Sequence, residues 1–145
     1  MDLVFLLFLL CAGVLFVWSM RKSRQDETAM KAGLEVLTRK GFNVDYLLRG
    51  NIRVAFDASR RQVAFIYANG TRLYDFSIIR DWQLIARRGV SSKIGNTLHF
   101  TLKDDKHPVI KISGLSAIDA SAFEPKLDAL LTRQRSSGIR GSARF

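Results

Sequence analysis

The chain opens with an unbroken apolar run. The sixteen residues from Leu3 to Trp18, LVFLLFLLCAGVLFVW, carry no charge, and Arg21 is the first basic residue after them. Counted to Met20, the run would rise about 27 Å as an α-helix, close to the bilayer hydrocarbon thickness of about 30 Å. The pattern predicts a transmembrane anchor over residues 1–20.

Two other interpretations of this run stay open: a cleaved signal peptide, and a helix buried within a larger assembly. A signal peptide has a basic n-region and a small-residue cleavage site. Only Met1 and the acidic Asp2 precede the run, and no A-x-A-like site follows it before Arg21. A retained anchor is therefore the favoured interpretation.

The next segment changes to helical periodicity. Residues 21–41 are rich in helix formers, and their apolar positions recur at spacings of three and four: Ala29, Met30, Gly33, Leu34 and Leu37. Gly41 stands where a helix stop is common. We expect an amphipathic helical connector, for which three arrangements are open: it packs on the following domain, it continues the anchor helix, or it pairs with a second copy.

From Asn51 onward the period becomes two, which is typical of half-buried strands. Asn69-Gly70 is a strong hairpin signal, and a glycine- and serine-containing loop covers Gly89 to Asn96. The alternation predicts six strands in an antiparallel meander, over residues 52–57, 63–67, 71–78, 81–87, 97–102 and 109–113.

The last periodic segment is helical again. Phe123, Leu127, Leu130 and Leu131 share one helical face, and Ser121 with Glu124 fits a capping box. Since Pro125 suits only a first turn, we expect the helix to begin near Ser121. The basic tail, residues 136–145, has no periodicity and is predicted to be disordered. The resulting division is an anchor (1–20), a connector (21–41), a domain (42–135) and the tail.

Three stretches carry a family resemblance: IRVAFDASRRQVAFI, TRLYDFSIIRDWQLI and LHFTLKDDKHPVIKISG. With the terminal helix, they resemble small bacterial pleckstrin-homology-like domains of uncharacterised function. The resemblance implies a mainly β (α+β) fold, a bent antiparallel sheet or barrel of six to seven strands closed by a C-terminal amphipathic helix, here behind a transmembrane helix. A seventh strand would come from residues 42–48 or from a division of residues 78–87. The family scaffold implies recognition and no catalytic activity.

Charge adds an orientation to this picture. The net charge is +10, from 23 Lys and Arg against 13 Asp and Glu. Basic residues beside a membrane helix are retained on the cytoplasmic side, and interfacial tryptophans are common. The flanking residues are Trp18, Arg21, Lys22 and Arg24. We therefore expect a single-pass inner-membrane protein with its N-terminus outside and its domain in the cytoplasm, the bacterial membrane type following from the resemblance alone.

The sequence contains no recognisable catalytic set. His99 and His107 belong to no HExxH, Gly-x-Ser-x-Gly or Walker motif. Cys11, the single cysteine, lies in the apolar run, and Asp104-Asp105 has the character of a solvated turn. We predict a protein that is not an enzyme, with no cofactor and no metal site.

Basic side chains are the better candidates for binding. They fall around the first predicted hairpin and the glycine-containing loop: Arg53, Arg60, Arg61, Arg72, Arg87, Arg88 and Lys93. The first hairpin is where lipid-binding pleckstrin-homology domains often carry basic residues, which is what the resemblance implies for Arg60 and Arg61. Solvated surface, diffuse contact with anionic lipid, and a specific protein or phosphate partner are the three interpretations.

Two functional hypotheses follow. The first is a membrane-anchored interaction module that binds an unknown protein partner and is assisted by weak contact with anionic lipid. The alternative is a membrane-tethered, nucleic-acid-associated protein that uses its basic surface and its arginine-rich tail. A homo-oligomer is compatible with either hypothesis.

Overall fold

The structure is a computed structural model that describes residues 3–85, 96–131 and 140–144. Its first element is helix α1, Leu3–Arg39, which runs without a break for 37 residues, or about 55 Å. By length and composition, α1 is able to cross a membrane. Its residues 3–20 are all exposed, although most of them are large and apolar. An N-terminal helix suited to the lipid phase is what the sequence predicted.

The second half of α1 packs against protein. Met30, Leu34 and Leu37 contact the outer face of the first sheet, in a cluster that also contains Ala55, Ala64 and Ile66. The apolar stripe of the connector therefore packs against the domain of the same chain. The sequence left two arrangements of the connector as alternatives, continuation of the N-terminal helix and packing on the domain. Both are present, because one helix continues from the apolar segment and packs on the first sheet.

The end of α1 has a local cause. Gly41 has a φ of 86°, in the left-handed region that favours glycine. The N–H of Gly41 donates to the Thr38 carbonyl at 3.0 Å, and the N–H of Phe42 donates to the Leu37 carbonyl at 3.1 Å. These two bonds form a Schellman motif, and buried Phe42 supplies its usual apolar contact. The helix stop predicted at Gly41 is confirmed.

The first sheet is antiparallel with the order β1-β2-β3-β4. Its strands are β1 (Tyr46–Arg49), β2 (Arg53–Asp57), β3 (Gln62–Tyr67) and β4 (Gly70–Asp75). Strand β1 overlaps residues 42–48, which were one of two candidates for a seventh strand. The strand predicted over residues 71–78 is too long, because a 3-10 turn at Phe76–Ile78 carries the chain from this sheet into the next.

The second sheet has the order β7-β6-β5-β8. Strands β5 (Ile79–Ile85), β6 (Asn96–Leu102) and β7 (Val109–Leu115) are antiparallel, whereas β8 (Arg140–Arg144) runs parallel to β5. The prediction of a disordered tail is wrong for residues 140–144; residues 136–139 and 145 lie outside the described residues. Strand β8 satisfies the backbone edge of β5, which requires hydrogen-bonding groups and no apolar periodicity.

Helix α2, Ala117–Leu131, begins earlier than predicted. The N–H of Asp119 donates to Ser116 Oγ at 3.0 Å, so Ser116 caps the helix. Ser121 Oγ instead donates to the Ile118 carbonyl, and Pro125 lies in the helix interior. The predicted start was wrong because Ser116 offers the same capping chemistry five residues before Ser121.

The main core lies between the two sheets and α2. Rings from five elements meet within it at centroid distances of 5.6 to 6.3 Å, namely Phe56, Phe65, Phe100, Trp82 and Phe123. Strands β2 and β3 are buried on both faces, because this core covers one face and α1 covers the other. The layers are therefore α1, the first sheet, the core and the second sheet.

The two sheets are joined at the turn between β1 and β2. The N–H of Asn51 donates to the Ser113 carbonyl at 2.9 Å, and Asn51 Oδ1 accepts the N–H of Ser113 at 2.9 Å. Gly50 permits this approach, since a Cβ there would lie 2.5 Å from the Ser113 carbonyl oxygen. The turn thereby fixes the position of Arg49 and Arg53 on either side of it.

Replacing Phe123 by alanine should destabilise the full-length protein by about 3–5 kcal/mol, because the ring is fully buried among Tyr46, Trp82 and Phe100. Ile118 is 80% exposed on the same helix, so Ile118→Ala is the matched control and should change stability by no more than about 0.5 kcal/mol. Thermal and denaturant unfolding in detergent micelles measures both variants. Equal stability of the two variants would show that α2 does not close the core.

Candidate functional site

Arg53 is directed into the protein. It is 7% exposed, and its Nη2 lies 3.4 Å from Glu27 Oε1 on α1. Glu27 also lies 3.9 Å from Lys31 Nζ, one turn further along the helix. Arg53 thus fastens β2 to α1 by a charge-assisted hydrogen bond.

The hairpin between β2 and β3 is organised around Asp57. This fully buried carboxylate accepts hydrogen bonds from Ser59 Oγ, from the N–H of Arg60 at 3.0 Å and from the N–H of Asn43 at 2.9 Å. Burial by itself raises the pKa of Asp57, but the bonds from Ser59, Arg60 and Asn43 outweigh it, so the pKa lies below its ordinary value.

The arginine pair at the tip of this hairpin has structural contacts. Arg60 Nη1 donates to the Lys40 carbonyl at 3.4 Å, beyond the last turn of α1, where a cation complements the helix dipole. Arg61 has a φ of 55°, and its carbonyl accepts the N–H of Phe76 at 2.9 Å. Both side chains belong to exposed residues, so they remain accessible at the surface.

The remaining candidate cations do not gather at one point. The Arg72 guanidinium lies 4.9 Å from the centroid of the Tyr67 ring, a cation–π contact. Lys22 Nζ lies 5.7 Å from the Trp18 ring on α1, a helix that also carries Arg21 and Arg24. Arg87, Arg88 and Lys93 lie outside the described residues. Arg53 bonds α1 and lines one groove with Lys22. Arg60 bonds the carbonyl of Lys40 just beyond α1.

The histidine and aspartate residues considered for catalysis lie in the second sheet and in the turn between β6 and β7. Tyr74 Oη donates to Asp104 Oδ2 at 2.9 Å. The pKa of Tyr74 is raised, mainly by burial and secondly by this hydrogen bond. His99 lies on the outer face of β6; its pKa is lowered first by burial and then by Lys111, the residue opposite it on β7. Among the described residues, no group of three or more His, Cys, Asp or Glu side chains has an arrangement that would hold a metal ion.

A groove that sequence reasoning missed lies between α1 and the β1–β2 turn. It has a volume of about 500 Å³ and is lined by residues 18–30 of the helix and 49–53 of the turn. No linear motif marks it, because its two walls are separated by about twenty residues of chain. The only available signal was the amphipathic connector, which implied that some surface packs against residues 21–41.

No family model and no curated protein matches this chain. Any functional assignment therefore depends on the geometry of the chain itself.

The protonation of Asp57 should govern part of the acid stability. Because its folded pKa is depressed, its ionised form stabilises the protein above the unfolded value of about 3.9, and that contribution is lost as the pH falls through the folded pKa. Asp57→Asn places an amide where N–H groups donate and should cost about 1–3 kcal/mol at pH 7. Melting curves at pH 7, 5 and 3 should show a smaller acid loss in the variant than in the wild type.

Asp105→Asn, in the exposed turn before β7, is the control for this charge change and should follow the wild-type profile. An Asp57→Asn protein that loses stability in acid as much as the wild type does would contradict the role assigned to the carboxylate.

Proposed function

We propose that this protein is a single-pass membrane protein that presents a pleckstrin-homology-like domain, in the cytoplasm, to a protein partner. The observation that carries the proposal is the continuity of α1, whose first half has an exposed apolar surface and whose second half is part of the domain's packing. A module attached in this way is held at the membrane surface without a flexible linker. Its exposed faces have a defined direction relative to the bilayer.

The direction of α1 assigns different environments to the two ends of the first sheet. Lys40 is twenty residues beyond Met20, which corresponds to about 30 Å of helix. With α1 near the membrane normal, Arg60, which bonds Lys40, lies on the side away from the bilayer. The β1–β2 turn lies beside residues 18–30 and is close to the lipid. Lipid contact is therefore proposed for the β1–β2 end, and the Arg60-Arg61 hairpin is left facing the cytoplasm.

The outer face of the second sheet supports a role in protein recognition. Helix α1 covers the outer face of the first sheet, whereas the outward positions of β5 and β6 stay partly accessible to solvent: Asp81, Gln83, Ile85, Thr97, His99 and Thr101. This surface mixes polar groups with aliphatic area, which is the composition of non-obligate interfaces. A rigid sheet face held at a constant height above the membrane is suited to a partner on the same membrane or next to it.

The proposed topology predicts that a reporter fused after Phe145 is cytoplasmic. Basic residues 21, 22 and 24 follow the apolar segment, and such residues are retained on the cytoplasmic side. A green fluorescent protein fusion should fluoresce, and an alkaline phosphatase fusion at the same site should be inactive. Strong phosphatase activity with a dark fluorescent fusion would invert the topology and remove the cytoplasmic partner from the proposal.

Partner contact should depend on position. A photo-crosslinking amino acid at Gln83 or at Thr101, introduced into the full-length protein in native membranes, should yield the same crosslinked species, because both positions are on the outer face of the second sheet. Glu35, on the exposed side of α1, is the control position and should yield none. Equal crosslinking from all three positions, or none from the sheet, would contradict recognition through this face.

A further inference from the structure

In the proposed membrane arrangement, the groove between α1 and the β1–β2 turn begins where the apolar segment of α1 ends. Trp18 and Ser19 form its lower end, at the end of the apolar segment, and Met30 lies at its upper end. The polar layer of a bilayer adds about 5–8 Å on each side of the hydrocarbon core, and Lys22 is two residues, or about 3 Å, beyond Met20. The lower half of the groove is therefore within reach of a phospholipid headgroup.

The charged side chains that line the groove have a small positive excess. Its basic side chains are Lys22, Arg49 and Arg53, and its acidic side chains are Asp26 and Glu27, so one positive charge remains. Arg53 and Glu27 neutralise each other at 3.4 Å within the wall. Lys22 Nζ lies over the Trp18 ring. Among the described residues, no carboxylate lies within 4.0 Å of the charged nitrogens of Lys22 or Arg49.

The turn that carries Arg49 is held in a fixed conformation. Asn51 exchanges two hydrogen bonds with Ser113, and Gly50 lies directly against the second sheet. Arg53, on the other side of the turn, is buried and bonded to Glu27. The backbone that carries Arg49 is thus held in place, opposite a helix that carries Lys22. A backbone that is already ordered lowers part of the entropic cost of binding.

We propose that this groove binds the headgroup of an anionic phospholipid, with its phosphodiester between Lys22 and Arg49 and its glycerol region beside Trp18. The single negative charge of such a headgroup neutralises the excess positive charge of the lining, and both cations form charge-assisted hydrogen bonds with phosphate oxygens. The inference rests on the proposed membrane function and names the lipid contact within it. The bound lipid would fix the height of the β1–β2 turn above the bilayer.

The test uses the full-length protein in detergent, titrated with dioleoylphosphatidylglycerol and, separately, with dioleoylphosphatidylcholine, with adducts counted by native mass spectrometry. The wild type should retain one phosphatidylglycerol, bound about tenfold or more tightly than phosphatidylcholine. Lys22→Gln with Arg49→Gln should weaken this adduct about tenfold or more, because two charge-assisted bonds are lost. Lys22→Arg with Arg49→Lys should restore most of the affinity.

The matched control is Lys103→Gln with Lys106→Gln, which removes the same charge from the exposed turn between β6 and β7. It should bind phosphatidylglycerol like the wild type. All four substituted side chains belong to exposed residues, so melting temperatures should remain within a few degrees of the wild type. Equal binding of the two lipids, an unchanged adduct in the Lys22 and Arg49 variant, or an equal loss in the control would overturn the inference.

Failure of this site is distinguishable from failure of the proposed function. A protein with no selective phosphatidylglycerol adduct, but with a cytoplasmic C-terminal reporter and crosslinks from the second sheet, would lack the lipid site and keep its role as an interaction module. If the protein gives a selective phosphatidylglycerol adduct but no position-dependent crosslinks, the lipid site is supported and the proposed protein partner is not.

Discussion

The packing of the second half of α1 against the first sheet is the contact on which the rest of the structure depends. Small side chains on the outer face of β2 and β3, Ala55 and Ala64, let the helix approach closely, and Leu37 and Phe42 fill the contact near its end. Because the same helix begins with an exposed apolar surface, this one contact fixes the direction of that apolar segment relative to the whole domain. A flexible linker would have left that direction undefined.

The polar contacts around α1 reinforce this arrangement at two levels. Arg53 bonds Glu27 near the start of the packed segment, and Arg60 bonds the Lys40 carbonyl beyond its end. Asp57 holds the hairpin that carries Arg60. Arginines that looked like binding residues in the sequence therefore contribute to docking the helix, whereas Arg49, which drew no notice there, lines an open groove.

Sequence patterns predicted much of the fold where side-chain periodicity has a single cause. The alternation in β6 and β7 reflects burial of one face, and the stop at Gly41 reflects a local backbone requirement. Prediction failed where the cause was not periodic. Strand β8 depends on backbone pairing with β5, and the start of α2 depended on a choice between two serines with the same capping chemistry.

The sequence by itself determined an apolar N-terminal helix, a stripe of small and apolar residues after it, and a set of alternating strands before a final helix. These properties are local, because each follows from the order of apolar and polar residues within one element. Only the tertiary structure decided that anchor and connector are a single helix and which face of the first sheet that helix covers. It also decided that residues 18–30 and 49–53 form the two walls of a groove, since no short-range pattern encodes a contact between distant segments.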